Sequence, residues 1–416
     1  MPKNLQARGA RSGLLWRGLF LLGPAFVASV AYVDPGNVAA NLTAGARYGY
    51  LLVWVLVAAN VMAVLIQYQS AKLGLVTGRS LPELIGRRLP PRRRRAFWVQ
   101  AEVVAAATDV AEVIGGAVAL NLLFGTPLIL GGLIMGAASM VLLTLQTRNR
   151  QHLFERAVLV LLAVIAAGFT AGVIANPPPL GEAAAGLIPR LEGADSVLLA
   201  TSMLGATVMP HAIYLHSALS VHRHGTGHPP GRLRQLIRAA RVDVIAALVL
   251  AGTVNIAMLL AAASSLRGVD GTDTIEGAYA AIGSSLGPVV AFLFAIGLLA
   301  SGLASTSVGC YAGSVIMDGL LQIRIRLWVR RLVTLVPALV ILSIGIEPTT
   351  ALVISQVILS MGIPFALIPL VRASADKQLM GDHTNSRALN LCSYLSAALI
   401  IALNVALLLL TFTGAG

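Results

Sequence analysis

Charged side chains are scarce in this sequence. Only 11% of its 416 residues are Asp, Glu, Lys or Arg, and 57% are hydrophobic, whereas a soluble domain carries roughly 25% charged residues. This shortage excludes a soluble globular protein of ordinary composition. We therefore expect a polytopic membrane protein, in which helices rather than globular domains are the structural units.

Cysteine is also rare, and Cys310 and Cys392 both lie in apolar runs. A disulfide is possible only if those two helices touch, and two buried free thiols are expected. The sequence contains no zinc motif of the His-Glu-x-x-His type and no nucleophile paired with a base. We therefore expect a protein that is not an enzyme and that holds no cofactor.

Acidic residues are outnumbered by basic ones, 17 against 30, which gives a net charge of +13. The basic residues do not form one patch but recur in short clusters between apolar runs, as in the cytoplasmic loops of membrane proteins. Nucleic-acid binding is therefore not expected. We interpret the four consecutive arginines at 92–95 as an anchor for topology and lipid headgroups.

Eleven apolar runs have about the 20 residues that span a bilayer. They predict an all-α integral membrane protein with eleven transmembrane helices. The runs are 19–44, 51–75, 96–122, 128–145, 157–175, 197–219, 242–264, 286–317, 327–344, 350–370 and 388–411.

The basic residues also predict the orientation. If the N-terminus is cytoplasmic, all but Arg47, Arg190 and Arg267 of the 30 lysines and arginines fall on the cytoplasmic side. We therefore expect a bacterial inner (plasma) membrane protein with residues 1–18 as a cytoplasmic tail and an extracytoplasmic C-terminus. A cleaved signal peptide is not expected, because its removal would discard half of the first helix.

Two of the runs are interrupted by proline. The first contains Asp34-Pro35-Gly36-Asn37, and the sixth contains Met209-Pro210-His211. The two interrupted runs are five spans apart. Because five is odd, the repeat that begins with the sixth run enters the membrane with the opposite polarity to the repeat that begins with the first. We predict two inverted five-helix repeats, 19–175 and 197–371, with discontinuous helices 1 and 6 forming the substrate site, and an eleventh helix within 388–416.

The interruptions offer ligands for a cation. Asp34 supplies a carboxylate, Asn37 an amide oxygen and Met209 a thioether sulfur, and unwound backbone exposes carbonyl oxygens. Magnesium and calcium prefer all-oxygen cages, so the sulfur favours manganese(II) or iron(II). The alternative is a symporter of the same architecture for an organic substrate such as an amino acid. Packing explains a lone methionine or asparagine well, but not a carboxylate at membrane depth.

The paired motifs resemble those of the natural resistance-associated macrophage protein (Nramp) family of divalent metal transporters, over essentially the whole chain from about residue 20. The resemblance implies a LeuT-type fold and proton-coupled import of Mn²⁺ and Fe²⁺ as transported substrates. Protons, the metal ion and the lipid bilayer would be the partners, without an obligate protein partner. The resemblance implies six metal ligands: the side chains of Asp34, Asn37 and Met209, the carbonyls of Ala31 and Ala206, and Gln356 in some conformations.

Three acidic residues lie in the third run. Glu102, Asp109 and Glu112 are separated by seven and then three residues, which places them within about 80° on one helix face. We expect them to face a wet interior or basic partners, with Arg330 and Arg331 of the ninth run as the candidates. A structural salt-bridge network and a proton pathway are both compatible with this pattern.

Our hypothesis for these acids is a proton wire. Metal binding favours ionised Asp34, and the released proton would pass along the acids and the arginine pair to the cytoplasm. His211 and, with a weaker case, His216 could relay a proton because histidine titrates near physiological pH. Either histidine could equally line the aqueous path without titrating.

Overall fold

The computed structural model describes residues 23–144, 151–323 and 325–413, and within these ranges it contains helices and no β-strand. We number the α-helices of the described residues in chain order. They are α1 Pro24–Val30, α2 Pro35–Tyr48, α3 Val53–Thr77, α4 Leu81–Arg88, α5 Pro91–Phe124, α6 Leu128–Thr144, α7 Gln151–Ala175, α8 Leu180–Ala185, α9 Gly193–Thr207, α10 Pro210–His224, α11 Pro230–Ser265, α12 Ile275–Ser285, α13 Pro288–Leu321, α14 Leu327–Ser343, α15 Pro348–Ala375, α16 Lys377–Met380 and α17 Arg387–Thr413. Ala31–Val33 and Gly381–His383 form 3₁₀ turns.

Proline sets many of the helix starts. It lacks an N–H group, and the first turn of a helix has no intrahelical acceptor for one, so proline is well tolerated there. Glycines in the left-handed region terminate two long helices, with φ 66° at Gly78 and 65° at Gly125. Seven helices of the described ranges begin at proline: Pro24, Pro35, Pro91, Pro210, Pro230, Pro288 and Pro348.

Each predicted apolar run contains a helix or a broken pair of helices. Among the described residues, eight helical segments are long and apolar enough to cross a membrane, and two further apolar helices, Pro24–Val33 and Leu128–Leu143, are shorter. The all-α, multi-pass class is confirmed, whereas the number eleven remains a prediction. The tail 1–18 and Arg148, Arg150 and Arg324 lie outside the described residues, so the orientation also remains a prediction.

Four short helices of the described residues lie in segments expected to be connections. Helix α4 lies within 76–95, α8 within 176–196, α12 within 265–285 and α16 within 371–387. Ser80 caps α4, since its side chain accepts a hydrogen bond from the Glu83 N–H at 3.4 Å. The Ser-x-x-Glu spacing is a helix-start signal. It does not coincide with an apolar run of membrane length, because α4 is only eight residues long.

The long helices α5 and α13 pack side by side. They approach closely at glycine: a Cβ atom on Gly302 would lie 3.1 Å from the Cα of Gly116. Small residues at such crossings are typical of membrane helices, because close backbone contact replaces the hydrophobic effect as the source of attraction. Helix α15 packs against α5 and α9, and α11 against α2 and α3. These contacts enclose both broken helices.

The two cysteines do not form a disulfide with each other. Cys310 is buried in α13, as predicted. Cys392 is exposed on α17, so the prediction of a buried thiol is wrong there. The apolar sequence of a run does not show which face of its helix packs against the protein and which face is exposed.

Candidate metal site

The first interruption separates α1 from α2. The chain leaves α1 at Val30, makes the 3₁₀ turn Ala31–Val33 and becomes extended at Asp34, with φ −79° and ψ 168°. Proline at position 35 disfavours helical geometry for the residue before it. Asp34 then caps α2, because its Oδ1 accepts the Asn37 N–H at 2.9 Å. The carboxylate is therefore fixed at the N-terminus of a helix, where negative charge is favoured.

The second interruption separates α9 from α10. Val208 leaves helical geometry with φ −106° and ψ 66°, and Met209 is extended with φ −69° and ψ 122°. Pro210 starts α10. Met209 is fully buried, so its thioether lies inside the protein at the point where the helix is broken.

The two breaks share one register. In a continuous α-helix each carbonyl accepts the N–H of the residue four positions later. Ala31 precedes Pro35 by four, and Ala206 precedes Pro210 by four. Proline has no N–H to donate, so neither alanine carbonyl can receive its α-helical hydrogen bond. The same two carbonyls are those that the family resemblance implies as metal ligands.

Asn37 joins the two breaks. Its Nδ2 donates to Asp34 Oδ1 at 2.8 Å and to the Ala206 carbonyl at 2.9 Å. Gln356 of α15 donates from Nε2 to Asp34 Oδ2 at 3.1 Å. Both oxygens of the one carboxylate are thus held by neutral amide donors from α2 and α15, and the Asn37 amide also connects it to α9.

Several buried acceptors at this point have no donor among the described residues. They are the amide oxygens Asn37 Oδ1 and Gln356 Oε1, with the neighbouring hydroxyl Thr207 Oγ1. Buried polar atoms normally have partners. Amide oxygens without donors are suited to bind a cation. Thr207 was not singled out from the sequence, because a threonine near a helix end usually bonds its own backbone.

Gln356 reaches the breaks because glycine faces it on both sides. A Cβ on Gly36 would overlap the Gln356 amide, and a Cβ on Gly205 would overlap the Gln356 carbonyl oxygen. Gly36 has an ordinary helical backbone conformation. Glycine is therefore needed there because Gln356 approaches closely, and not because the backbone adopts an unusual conformation. These two positions let α15 contact both broken helices.

Two polar side chains that the sequence analysis did not single out hold the first break. Ser301 Oγ donates to the Val33 carbonyl at 2.5 Å, and Asn255 Nδ2 donates to the Tyr32 carbonyl at 2.7 Å. Both residues are buried. They satisfy carbonyls that the break removes from helical pairing. Isolated polar residues in the seventh and eighth apolar runs are the signal that could have found them.

The candidate ligands are enclosed by protein. Asp34, Asn37, Met209, Ala206 and Gln356 have no exposed surface, and Ala31 is 1% exposed. Within the described part of the chain, no group of three or more His, Cys, Asp or Glu residues could hold a metal ion. A site here would therefore depend on one carboxylate supplemented by amide, carbonyl and thioether groups.

The predicted acidic stripe of α5 faces α14. Arg330 pairs with Glu102, with nitrogen–oxygen distances of 2.8 and 3.0 Å. Arg331, which is fully buried, lies 3.6 Å from Asp109 Oδ1, longer than a hydrogen bond. Glu112 is buried within electrostatic range of Asp109, Asp34 and Arg331. The acids thus form a series from the protein edge to the neighbourhood of Asp34.

The two histidines lie on α10 beyond the second break. His211 Nδ1 lies 3.4 Å from Thr108 Oγ1, next to Asp109 in sequence. His216 Nδ1 lies 2.8 Å from Gln67 Oε1, and Gln67 in turn donates to the Tyr32 hydroxyl. His211 is therefore placed beside the acidic helix, and His216 beside α3. The structure gives their positions, and their role in proton transfer remains a prediction.

Comparison with known proteins agrees with the motifs. The family model "Natural resistance-associated macrophage protein-like" matches residues 25–410. The chain is 58% identical to "Divalent metal cation transporter MntH" of Mycobacterium tuberculosis over 95% of this chain and 92% of the relative. A crystal structure of the Eremococcus coleocola manganese transporter matches with a TM-score of 0.84 and 31% identity, over 95% of this chain and 87% of that one.

A more distant likeness concerns the fold alone. Mhp1, a nucleobase-cation-symport-1 family transporter, matches with a TM-score of 0.54 at 17% identity, over 94% of this chain and 91% of that one. The predicted LeuT-type class is confirmed by these neighbours, and the prediction that the chain is not an enzyme is confirmed by its relatives. The chain belongs to the natural resistance-associated macrophage protein (Nramp) family.

Proposed function

We propose that the chain imports divalent metal ions, Mn²⁺ and Fe²⁺ in particular, together with protons across the bacterial inner membrane by alternating access. The observation that carries the proposal is the junction of the two broken helices, where Asn37 links Asp34 to the carbonyl of Ala206. The similarity to a divalent metal cation transporter and to a manganese transporter supports the substrate class.

The ligand set follows from small rearrangements at this junction. The amide N–H groups of Asn37 and Gln356 now point at the Asp34 carboxylate. An amide rotated by 180° exchanges its NH₂ group for its oxygen, so a cation beside Asp34 would receive both amide oxygens. The proposed side-chain ligands are Asp34, Asn37, Met209 and Gln356, and the proposed carbonyl ligands are those of Ala31 and Ala206.

Met209 supports a transition metal over calcium or magnesium. A thioether in the ligand shell contributes little to a hard cation, whereas Mn²⁺ and Fe²⁺ accept mixed oxygen and sulfur ligands. Only one carboxylate is present, so the bound ion keeps a net positive charge in the site. Weak neutral ligands suit transport, since the ion must leave as well as bind.

Proton coupling is proposed through Asp34. A metal ion binds the ionised carboxylate, so protonated Asp34 releases its proton as the metal binds. Glu112 lies within electrostatic range of both Asp34 and Asp109, which gives the proton a route along α5. Arg331 and then the Arg330–Glu102 pair continue that route towards the surface. His211 and His216 are proposed as relays beside it.

An organic substrate is the second candidate, but the junction supports it less well. An amino acid needs space for its side chain, whereas Asn37 and Gln356 both donate hydrogen bonds to Asp34 and none of the three residues has exposed surface. The carboxylate and thioether also suit a cation better than an anionic carboxyl group.

Uptake into proteoliposomes tests the proposal. We expect Mn²⁺ entry to accelerate with an inward proton gradient and to be accompanied by proton entry, and both to be lost in Asp34→Asn. Asp382→Asn is the matched control, because Asp382 is exposed and distant in sequence from the junction. Metal uptake that ignores the gradient would contradict proton coupling. Gradient-driven amino-acid uptake without metal would favour the organic alternative.

A further inference from the structure

A cavity of about 330 Å³ opens between α4, the start of α5 and the end of α15. Leu84, Ile85, Leu89 and Phe97 contribute apolar walls, and Arg88 and Arg372 contribute guanidinium groups. We call this cavity the arginine groove. None of the six candidate metal ligands lines it. It lies on the side of the molecule that the sequence predicts to be cytoplasmic.

The groove carries positive charge that the protein does not neutralise. Arg88 Nη2 pairs with Asp376 Oδ2 at 2.8 Å, so one guanidinium is compensated. Arg372 is exposed and forms no ion pair with any acidic residue in the described part of the chain. Arg87 and the arginines at 92, 93 and 95 add exposed positive charge along the same segment. The groove therefore favours an anion.

Its walls favour an anion with an apolar portion. Phe97 packs edge-on against Phe365 of α15, with ring centroids 6.4 Å apart, so the apolar wall continues from α5 onto α15. A guanidinium group binds phosphate through two parallel hydrogen bonds. A free phosphate would leave the leucine, isoleucine and phenylalanine surfaces in contact with water.

We propose that the arginine groove binds the headgroup and first methylene groups of an anionic phospholipid, with Arg372 as the phosphate ligand. Helix ends rich in arginine attract anionic lipid at a membrane surface, and the groove adds a defined pocket to that attraction. A lipid bound there contacts α4, α5 and α15 together. Because α15 also carries Gln356, the lipid connects the membrane surface to a helix of the metal site.

The test is lipid binding to the purified full-length chain, measured by native mass spectrometry and by thermal unfolding. Phosphatidylglycerol is expected to bind and to raise the melting temperature, and phosphatidylcholine to bind at least several-fold more weakly. Arg372→Gln should weaken phosphatidylglycerol binding about fivefold, and Arg372→Lys should retain part of it. Arg234→Gln, an exposed arginine outside the groove, should leave binding unchanged.

Three results would overturn the proposal. One is equal phosphatidylglycerol binding by Arg372→Gln and the unaltered protein. Another is an equal loss in Arg234→Gln, which would indicate general surface charge and not a groove. The third is displacement of the lipid by millimolar glycerol 3-phosphate, which would identify a soluble phosphate as the preferred ligand. None of these measurements depends on metal transport, so they are independent of the proposed function.

Discussion

Asn37 and Ala206 are joined across the two broken helices by one hydrogen bond, from Nδ2 to the carbonyl oxygen at 2.9 Å. The carbonyl is available because Pro210, four residues later, has no N–H. The same Nδ2 also donates to Asp34. One carboxamide therefore holds together a carboxylate from the first break and a carbonyl from the second. Any movement that separates the two breaks must release it.

Asn37→Ala should lower Mn²⁺ affinity and uptake by at least about tenfold, a loss of ~1.4 kcal/mol in binding free energy. The variant removes one ligand and the connection between the breaks. Calorimetry and vesicle uptake provide the measurement. Asn404→Ala is the matched control, because Asn404 is also buried and its Nδ2 also bridges two helices, to Ser360 Oγ at 3.0 Å. Equal losses in the two variants would show a general packing effect.

Met209→Ala should reduce the preference for Mn²⁺ over Ca²⁺. Without the thioether the remaining ligands are all oxygen, which suits a hard cation as well as a borderline one. Met203→Ala is the control, since Met203 is equally buried on α9 and truncation of either side chain destabilises the protein by roughly 2–5 kcal/mol. Both affinities are read by calorimetry. An unchanged ratio in Met209→Ala would refute the soft-ligand argument.

Gly36→Ala should impair metal uptake and lower the melting temperature, because the added methyl group overlaps the Gln356 amide. Overpacking of this kind costs about 1–3 kcal/mol. Truncation of Gln356 should relieve this overlap. The double variant Gly36→Ala with Gln356→Ala should therefore be more stable than the sum of the two single changes predicts. Additive melting temperatures would show that the two side chains do not compete for one space.

The sequence was sufficient for the helical membrane class and for the positions of both broken helices. Proline within apolar runs located both breaks, and the unusual carboxylate at Asp34 predicts that the first is functional. The sequence did not locate α4, α8, α12 and α16, which are too short to form membrane-length apolar runs. It did not indicate that Cys392 faces outward. Helix rotation depends on neighbouring helices, which a run of apolar residues does not specify.

One part of the site can be read from the sequence, and another part is evident only with coordinates. The spacing of four from Ala31 to Pro35 and from Ala206 to Pro210 can be read directly from the chain. Thr207 cannot be recognised in this way, and Ser301 and Asn255 stand out in the sequence only as polar residues within apolar runs. Their contacts with the breaks involve residues more than two hundred positions away for Ser301 and Asn255, so only the tertiary structure identifies them.

Arg47→Gln should make the ends of α2 and α9 more mobile. Arg47 pairs with Asp195 at 2.9 Å and with Asp273 at 2.7 Å, so it joins the end of α2 to the start of α9 and to the segment before α12. All three side chains are partly exposed, and each exposed pair contributes at most about 1 kcal/mol. Hydrogen exchange at α2 and α9 should therefore rise several-fold.

High salt should produce part of the same effect in the unaltered protein, because ions screen exposed charges. Arg190→Gln is the control, since Arg190 lies on the same predicted side and forms no ion pair with an acidic residue among those described. An exchange pattern in Arg47→Gln identical to that of the control would show that the pairs do not restrain the broken helices.

Asp109→Asn tests the proton wire most directly. Asp109 lies 3.6 Å from the fully buried Arg331, so its neutralisation removes a titratable step and leaves a buried charge without its partner. Removal of one member of a buried pair destabilises a protein by about 3–5 kcal/mol, and a lower melting temperature is expected under either role of the acids.

The discriminating quantity is the number of protons that enter per Mn²⁺ in proteoliposomes. A wire predicts that this ratio falls while Mn²⁺ uptake persists, whereas a purely structural network predicts an unchanged ratio. Asp270→Asn, at an exposed position, should alter neither stability nor the ratio, and Asp34 would remain as the proton site if the ratio in Asp109→Asn were unchanged.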